Sequence, residues 1–401
     1  MNNHTFASVE MILDDIRQGK MFILVDDEQR ENEGDIVIAA EKITPEHINF
    51  LCQYARGLVC LSMQESDFTR LQIPMMTERN RSKLQTAFGV SIEAARGVGT
   101  GISAYDRAHT IQIAANKHSG PEDIVIPGHI FPLKAKDGGV LARQGHTEGS
   151  VDLVRLAGCN PAAVICEIMN PDGAMARLPD LIEFARHHQM HIISISQVLR
   201  YRMQIEQQVA LGVSVPLPTA QWGMLTLQTF QSPWITDNYF AVIKTPIYPD
   251  KPCLVRIHSQ CITGDIFGSQ RCDCGLQLNN SLTRIAEEGG VLLYLPQEGR
   301  GIGFANKIRA YELQDQGMDT VEANHHLGFA ADERDYSWAA QMLKALNITQ
   351  VRLLTNNPHK INNLQEYGMV VTERVSLETP PVASNLNYLK TKREKLGHLL
   401  S

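Results

Sequence analysis

The sequence has no apolar run of the ~20 residues that a membrane span requires. Its first residues, "MNNHTFASVEMILDD", carry no basic stretch ahead of a long apolar one, as a secretion signal would. Neither a membrane partner nor export is therefore expected. Cysteine is scarce, eight in 401 residues, too few for a disulfide scaffold. Four of these, Cys52, Cys60, Cys159 and Cys166, stand among apolar neighbours and are expected to be small buried hydrophobes. A cytoplasmic location follows as the simplest expectation. A basic surplus is missing too: 37 Lys and Arg face 44 Asp and Glu, a formal net charge of −7. Broad attraction to nucleic acid is thereby disfavoured, whereas a local cluster of Arg and Lys still suits a small phosphorylated substrate.

What is present is enough apolar material, 43% of residues, for more than one core. At ~150 residues per domain the length predicts two or three units. Residues 9–18 read as a helix with Val9, Ile12, Leu13 and Ile16 on one stripe. Strands are expected over 20–26, 35–41 and 57–63, in "AAVICEIM" and in "HIISIS". Helices are expected after the Thr44-Pro45 start and in "SVDLVRLAG" and "LPDLIEFARHH". In "LGVSVPLPTAQWG", Pro216, Pro218 and Gly223 punctuate the chain and read as a break. Beyond it, "MLTLQTF", "YFAVIKT", "CLVRIHS" and "VLLYLP" read as strands, with a helix before the last. The final "LKTKREKLGHLLS" reads as a solvated basic tail. The fold class expected is α/β (mixed α+β): two domains, 1–206 and 207–401, each a mixed sheet covered by helices.

In the second half, "CITGDIFGSQRCDC" offers Cys261 and, after ten intervening residues, Cys272 and Cys274. Three thiolates match a zinc site whose fourth position is kept for water, whereas structural sites take four protein ligands. A fourth ligand from a distant His is the structural alternative, and His258 is the nearest competitor. Around the trio stand Arg256, Arg271 and the glycine-rich "PQEGRGIGFANK", with Arg300 and Lys307. Backbone N–H groups of such a loop can approach an anion.

Together "HSQCITGDIFGSQRCDCG", "QEGRGIG", "DTVEAN", "DERDY" and "LLTNNPHK" resemble GTP cyclohydrolase II across residues 208–375. The resemblance implies that Cys261, Cys272 and Cys274 hold Zn²⁺, which lowers the pKa of a water toward ~7 for attack on carbon 8 of guanine. It further implies a GTP site made by Arg256, Ile257, His258, Ser259, Gln260, Gln277, Glu298, Gly299, Arg300, Thr320, Thr355 and Lys360. Asp332 matches the proton acceptor, and Arg334 the residue assigned as nucleophile toward the α-phosphorus. A guanidinium is almost always protonated, so a charge-stabilising role for Arg334 is the physically easier one. Tyr336 is in reach by sequence. Gln260 stands where the family often has Glu, and His359 where a basic residue is common.

In the first half, "DDEQRENEGD" packs six carboxylates around Arg30, between two strand-like segments. Such a run is commonly a solvated loop, but hard oxygen ligands held at strand ends also suit Mg²⁺. With "PGHIFPL", "RQGHTEGS", "TGISAYDRAHTI" and "VICEIMNPDGAMARLPDL" it resembles 3,4-dihydroxy-2-butanone 4-phosphate synthase over residues 5–203. The resemblance implies that Glu31 and His146 bind Mg²⁺ (or Mn²⁺). Arg30, Glu31, Asp35, Arg143, Gln144, Gly145, His146, Thr147 and Glu167 would contact ribulose 5-phosphate, with His129 and Glu167 catalytic. Abstraction of a proton beside a carbonyl needs a positioned base and a nearby cation, which these residue types supply. Ile126 and Gly99 depart from residues frequent in that family.

Both resemblances imply enzymes that make riboflavin precursors and that form homodimers. The rival expectations are a chain in which only the synthase works, its second half a GTP- or zinc-binding module, and a zinc protein that binds nucleic acid.

Overall fold

The computed structural model describes residues 6–27, 30–234, 237–248, 250–382 and 384–400. The chain divides into two units, one running to Arg202 and the other starting at Met203.

Apolar runs without polar alternation build the sheet of the first unit. Its strands are β1 (Phe22–Val25), β2 (Gly34–Ala39), β3 (Cys60–Met63), β4 (Ile92–Ala94), β5 (Ile124–Lys134), β6 (Ala162–Glu167) and β7 (Ile192–Ser194). They lie in the order β4-β5-β3-β6-β2-β1-β7, with β1–β7 and β3–β5 parallel and the other pairs antiparallel. Ile23, Val25, Ile36 and Ile38 pack into one core on one face, and Phe22, Leu24, Val37 and Ala39 into a second core on the other. Both faces being covered, successive residues are all apolar.

The helix Val9–Arg17 buries the expected stripe and is capped by Ser8, whose Oγ accepts from the Met11 N–H at 3.3 Å. Thr44 caps Pro45–Phe50 in the same way. The helix then continues as one wider turn, Leu51–Ala55, which buries Leu51 and Ala55 and turns Cys52 outward. Cys52 is therefore exposed, contrary to expectation, because it lies off the buried stripe; an Arg107 N–H donates to its sulfur at 2.9 Å. Cys159 is half-buried, while Cys60 and Cys166 are core residues as expected.

The second unit has strands β8 (Ala210–Thr219), β9 (Gly223–Gln231), β10 (Phe240–Lys244), β11 (Cys253–Ser259), β12 (Gly290–Leu295), β13 (Gln350–Leu354) and β14 (Val370–Val375), in the order β14-β13-β11-β12-β10-β9-β8. The stretch expected to be a break is β8. Pro216 and Pro218 sit within it opposite Thr226 and Met224 of β9. Proline is tolerated there because β8 is the sheet edge, where one row of N–H groups has no strand to pair with. Leu282 and Ile285 of the helix Cys274–Glu288 pack on Leu254, Leu292 and Leu354 of the sheet.

The basic tail is solvated only in part: Lys390, Arg393 and Lys395 are exposed, but Lys392 is not. Residues 386–394 form a helix, and Lys392 is only 7% exposed. Its charge has an internal partner, described below, which a reading of composition does not reveal. Both units are thus mixed sheets with helices, as the sequence implied, and no helix among the described residues is long and apolar enough to cross a membrane.

Candidate active sites

In the first unit, the acidic run becomes the loop joining β1 to β2. Residues 28 and 29 lie outside the described residues. Asp26 organises the loop: one oxygen accepts from an Arg30 guanidinium N–H at 2.8 Å and the Glu31 N–H at 3.0 Å, and the other accepts from the Glu33 N–H at 3.0 Å. Arg30 also pairs with Glu31 at 3.0 Å. Glu31 Oε2 then lies 3.4 Å from Nδ1 of His146, the first residue of the helix His146–Leu156. Donor atoms of Asp26, Glu31 and His146 all lie within 4.8 Å of one another. Gly145 precedes the helix, and the Arg143 guanidinium, paired with Glu148 at 2.7 Å, lies over it.

Deeper in, Asp35 of β2 faces Glu167 of β6. Asp35 is buried with one carboxylate oxygen unpartnered, and burial pushes its pKa up to about 7. Burial alone would lower the pKa of His146. The surrounding Asp35, Glu31 and Asp26 outweigh it and push the ring up to about 9, and its Nε2 has no partner. Thr147 is buried beside it, and Gln144 and Arg30 line a cleft along the loop.

Glu167 accepts from the Leu58 N–H at 3.1 Å. His129 is on β5, two residues before Phe131, whose partner Cys60 faces Ile165, two residues before Glu167. It therefore shares the Glu167 end of the sheet, but its own contact is Glu93, at 2.6 Å. Sequence reasoning missed two residues here. Asp26 stood in the acidic run but was not singled out as its organiser. Glu93 had no local signal, because its partner lies 36 positions away.

In the second unit the three thiols converge. Cys261 and Cys272 sulfurs lie 3.7 Å apart, and all three are within 4.8 Å of one another. Cys261 precedes a short helical turn and Cys274 begins the helix Cys274–Glu288, which brings the distant pair together. Gly264 allows it: a Cβ there would sit 3.2 Å from both the Cys261 and Cys272 sulfurs. Among the described residues no fourth metal-binding side chain joins the trio. His258 is engaged elsewhere, 3.0 Å from Asp265, which also accepts from Tyr294 Oη at 2.9 Å and the Cys261 N–H at 3.0 Å.

Hydrogen bonds from the Cys272 and Cys274 thiols, joined by the Lys307 ammonium 3.1 Å away, hold the Cys261 thiol far below its usual range. Lys307 also reaches Glu298 at 2.6 Å, and the other Glu298 oxygen accepts from the Ile262 N–H at 2.6 Å. Glu298 thus ties the glycine-rich loop to the cysteine loop. In that loop Gly299 and Arg300 have φ of +63° and +64°, which glycine adopts freely and arginine does not.

Cations without carboxylate partners border the same cavity. Lys360, 4% exposed, donates to the Ile257 carbonyl at 2.8 Å, and burial followed by the charges of Arg256 and Arg334 drives its pKa well down. Arg256 bonds the Leu354 carbonyl at 3.0 Å and Gln277 at 2.8 Å, leaving its buried Nε unpartnered; burial lowers it to about 10. Arg300 likewise keeps a buried unpartnered nitrogen. Ser259, Gln260, Gly299, Thr320 and Thr355 border this space too.

Asp332 and Arg334 form a two-pronged pair at 2.7 and 2.5 Å. Although burial opposes the charge of Arg334, Tyr336 and Asp332 outweigh it and keep the guanidinium protonated. Tyr336 is fully buried, with the Lys360 ammonium 5.2 Å from its ring, and His359 is exposed.

Comparison with known proteins assigns each unit. Residues 10–201 match the family described as 3,4-dihydroxy-2-butanone 4-phosphate synthase, and residues 210–376 match GTP cyclohydrolase II. Proteins called riboflavin biosynthesis protein RibBA are similar throughout. The one from Endomicrobium trichonymphae is 52% identical over 401 residues, covering 100% of this chain and 99% of its own. That from Aquifex aeolicus (strain VF5) is 52% identical over 398 residues, 98% of each. The crystal structure of RibBX from A. baumannii, titled a two domain 3,4-dihydroxy-2-butanone 4-phosphate synthase, superposes with a TM-score of 0.69 at 36% identity, covering 93% of this chain and 100% of that one.

Proposed function

Because the chain belongs to the riboflavin biosynthesis protein RibBA family, we propose that its two units carry two separate reactions. Residues 1–206 would convert ribulose 5-phosphate to 3,4-dihydroxy-2-butanone 4-phosphate and formate. Residues 207–401 would hydrolyse GTP to 2,5-diamino-6-ribosylamino-4(3H)-pyrimidinone 5′-phosphate, formate and pyrophosphate. The observation that carries this reading is the second cavity, where three thiols stand beside buried cations that lack carboxylate partners. Burying Lys360, Arg256 and one nitrogen of Arg300 without a carboxylate partner is costly unless a polyanion completes them, and a triphosphate is one.

The donor sets fit the metals proposed. Three sulfurs with no fourth side chain match a zinc site open to solvent. Cys261, Cys272 and Cys274 would hold Zn²⁺, which when bound supplies Lewis-acid activation of water. Arg256, Lys360 and Arg300 would bind and orient the phosphates, and Thr320 and Thr355 offer hydroxyls to the nucleotide. Arg334, kept cationic by Asp332, would stabilise charge at the α-phosphate rather than attack it. Asp332 would accept a proton only once a bound nucleotide draws Arg334 away.

In the first unit, the donor atoms of Asp26, Glu31 and His146, all within 4.8 Å of one another, fit a small dication. Glu31 and His146 would hold Mg²⁺ or Mn²⁺, which when bound supplies positive charge beside the sugar oxygens. Asp26 already accepts three hydrogen bonds, so its part is to shape the loop. Arg30, Arg143, Gln144, Gly145 and Thr147 would hold the sugar phosphate. Glu167, opposite Asp35, would remove the proton beside the carbonyl, with His129 oriented by Glu93 as its proton-transfer partner. A cytoplasmic homodimer is the assembly proposed.

The match of residues 210–376 to GTP cyclohydrolase II, within RibBA proteins similar over the whole chain, weighs against the rival in which the second unit only binds zinc or GTP. Formate release from each substrate, measured with elemental analysis of the same preparation, tests the reading. Release from ribulose 5-phosphate alone would leave the second reaction without support.

A further inference from the structure

The carboxy-terminal segment lies beyond the stretch matching the cyclohydrolase family, which ends at residue 376. Yet Tyr388, Lys392 and His398 border the thiol cavity. Lys392 Nζ sits 2.6 Å from Asp273, whose side chain is 1% exposed. Asp273 stands between two of the thiol-bearing residues. Its other oxygen accepts from Gln277 Nε2 at 2.6 Å, and Gln277 Oε1 accepts from Arg256 at 2.8 Å. A continuous chain of polar contacts thus runs from Lys392 through Asp273 and Gln277 to Arg256.

Two more contacts anchor the segment. Lys395 pairs with Asp319 and, at 3.0 Å, with Glu322, around the start of the helix Thr320–His326, and the Leu399 N–H donates to the Asn356 carbonyl at 2.8 Å. The Tyr388 ring lies 4.6 Å from the Lys392 ammonium and 5.8 Å from the Arg300 guanidinium.

We propose that residues 386–400 are a strap forming one wall of the nucleotide cavity, with Lys392 a positioning residue that sets Arg256 through Asp273 and Gln277, and Tyr388 the ring that holds Arg300. The proposal rests on reading this cavity as a GTP site. A buried ammonium–carboxylate pair is poor stabilisation, since desolvation offsets the attraction, and its better-attested use is to fix one arrangement among several. Fixing matters here because a long arginine stem loses conformational freedom when it grips a phosphate, and a pre-set guanidinium has already lost it.

The test measures KM and kcat for formate release from GTP in the full chain, Lys392→Met, Lys392→Arg, Lys392→Met with Asp273→Asn, and a chain ending at residue 382. Zinc content and synthase activity are followed alongside. Lys392→Met should raise KM about tenfold or more with one zinc per chain retained, Lys392→Arg should recover most of that, and the shortened chain should lose at least as much as Lys392→Met. KM within about twofold of the parent in Lys392→Met and the shortened chain overturns the strap. So does full recovery in the double variant, which would leave Lys392 only neutralising Asp273, and so does a lower KM in the shortened chain, which would make the segment a cover.

The unaltered chain gives a second measure, free of folding effects. Tryptic cleavage at the exposed Lys390, Arg393 and Lys395 should abolish GTP turnover in step with cutting and spare the synthase. Turnover that survives cutting overturns the strap, whereas an intact chain that never turns over GTP defeats the GTP reading itself.

Discussion

Lys360 shows how a single residue can serve function against stability. Its side-chain nitrogen is buried beside the Ile257 carbonyl and the Tyr336 ring with no carboxylate partner, and burial drives its pKa well down, so the charged form is costly to the folded unit. Lys360→Met should therefore stabilise the second unit by about 1–3 kcal/mol in denaturant unfolding while raising KM for GTP about tenfold. Loss of stability in that variant would mean that the charge is satisfied without nucleotide. Gly264 is a second such residue: Gly264→Ala places a methyl 3.2 Å from the Cys261 and Cys272 sulfurs. Zinc affinity, read by chelator competition, should fall roughly ten- to a hundredfold. An unchanged affinity would show that the loop yields easily. For Arg334, a charge role predicts that Arg334→Lys keeps about tenfold more cyclohydrolase activity than Arg334→Ala; equal loss would favour a role that only a guanidinium can fill.

At the scale of elements, the acidic loop between β1 and β2 depends on one acceptor. Asp26→Ala frees three donors at once, so synthase activity should need a much higher Mg²⁺ concentration while cyclohydrolase is untouched. A Mg²⁺ titration superimposing on the parent's would remove Asp26 from the account. This loop also marks how far the sequence could be read. The apolar stripe of residues 9–18, the helix start at Thr44, the buried strands and the thiol trio were legible because each rests on neighbours within a few positions. The edge strand β8 was not, since proline reads as a break until the pairing partner is known. The burial of Lys392 within the tail was not, because Lys392 finds Asp273 across 119 positions. The same applies to Glu93 beside His129, and to Glu298, which the resemblance placed in the GTP site and whose structural partners are Lys307 and Ile262.

For the whole molecule, two units with separate sheets and separate donor sets should fail separately. Cys272→Ser should abolish formate release from GTP and leave the ribulose 5-phosphate reaction intact, and His146→Ala should do the reverse. Parallel loss of both activities in either variant would mean that the units do not fold or act independently. Oxygen–nitrogen donors and sulfur donors should also part on metal removal: EDTA followed by Mg²⁺ alone should restore the synthase and not the cyclohydrolase.

The most direct test of the central claim adds one equivalent of Zn²⁺ to the chelated full-length chain and follows formate from GTP. Recovery of turnover in proportion to zinc bound, lost again in Cys272→Ser, is the expected result. Tight binding of one zinc with no formate released from GTP would contradict the account.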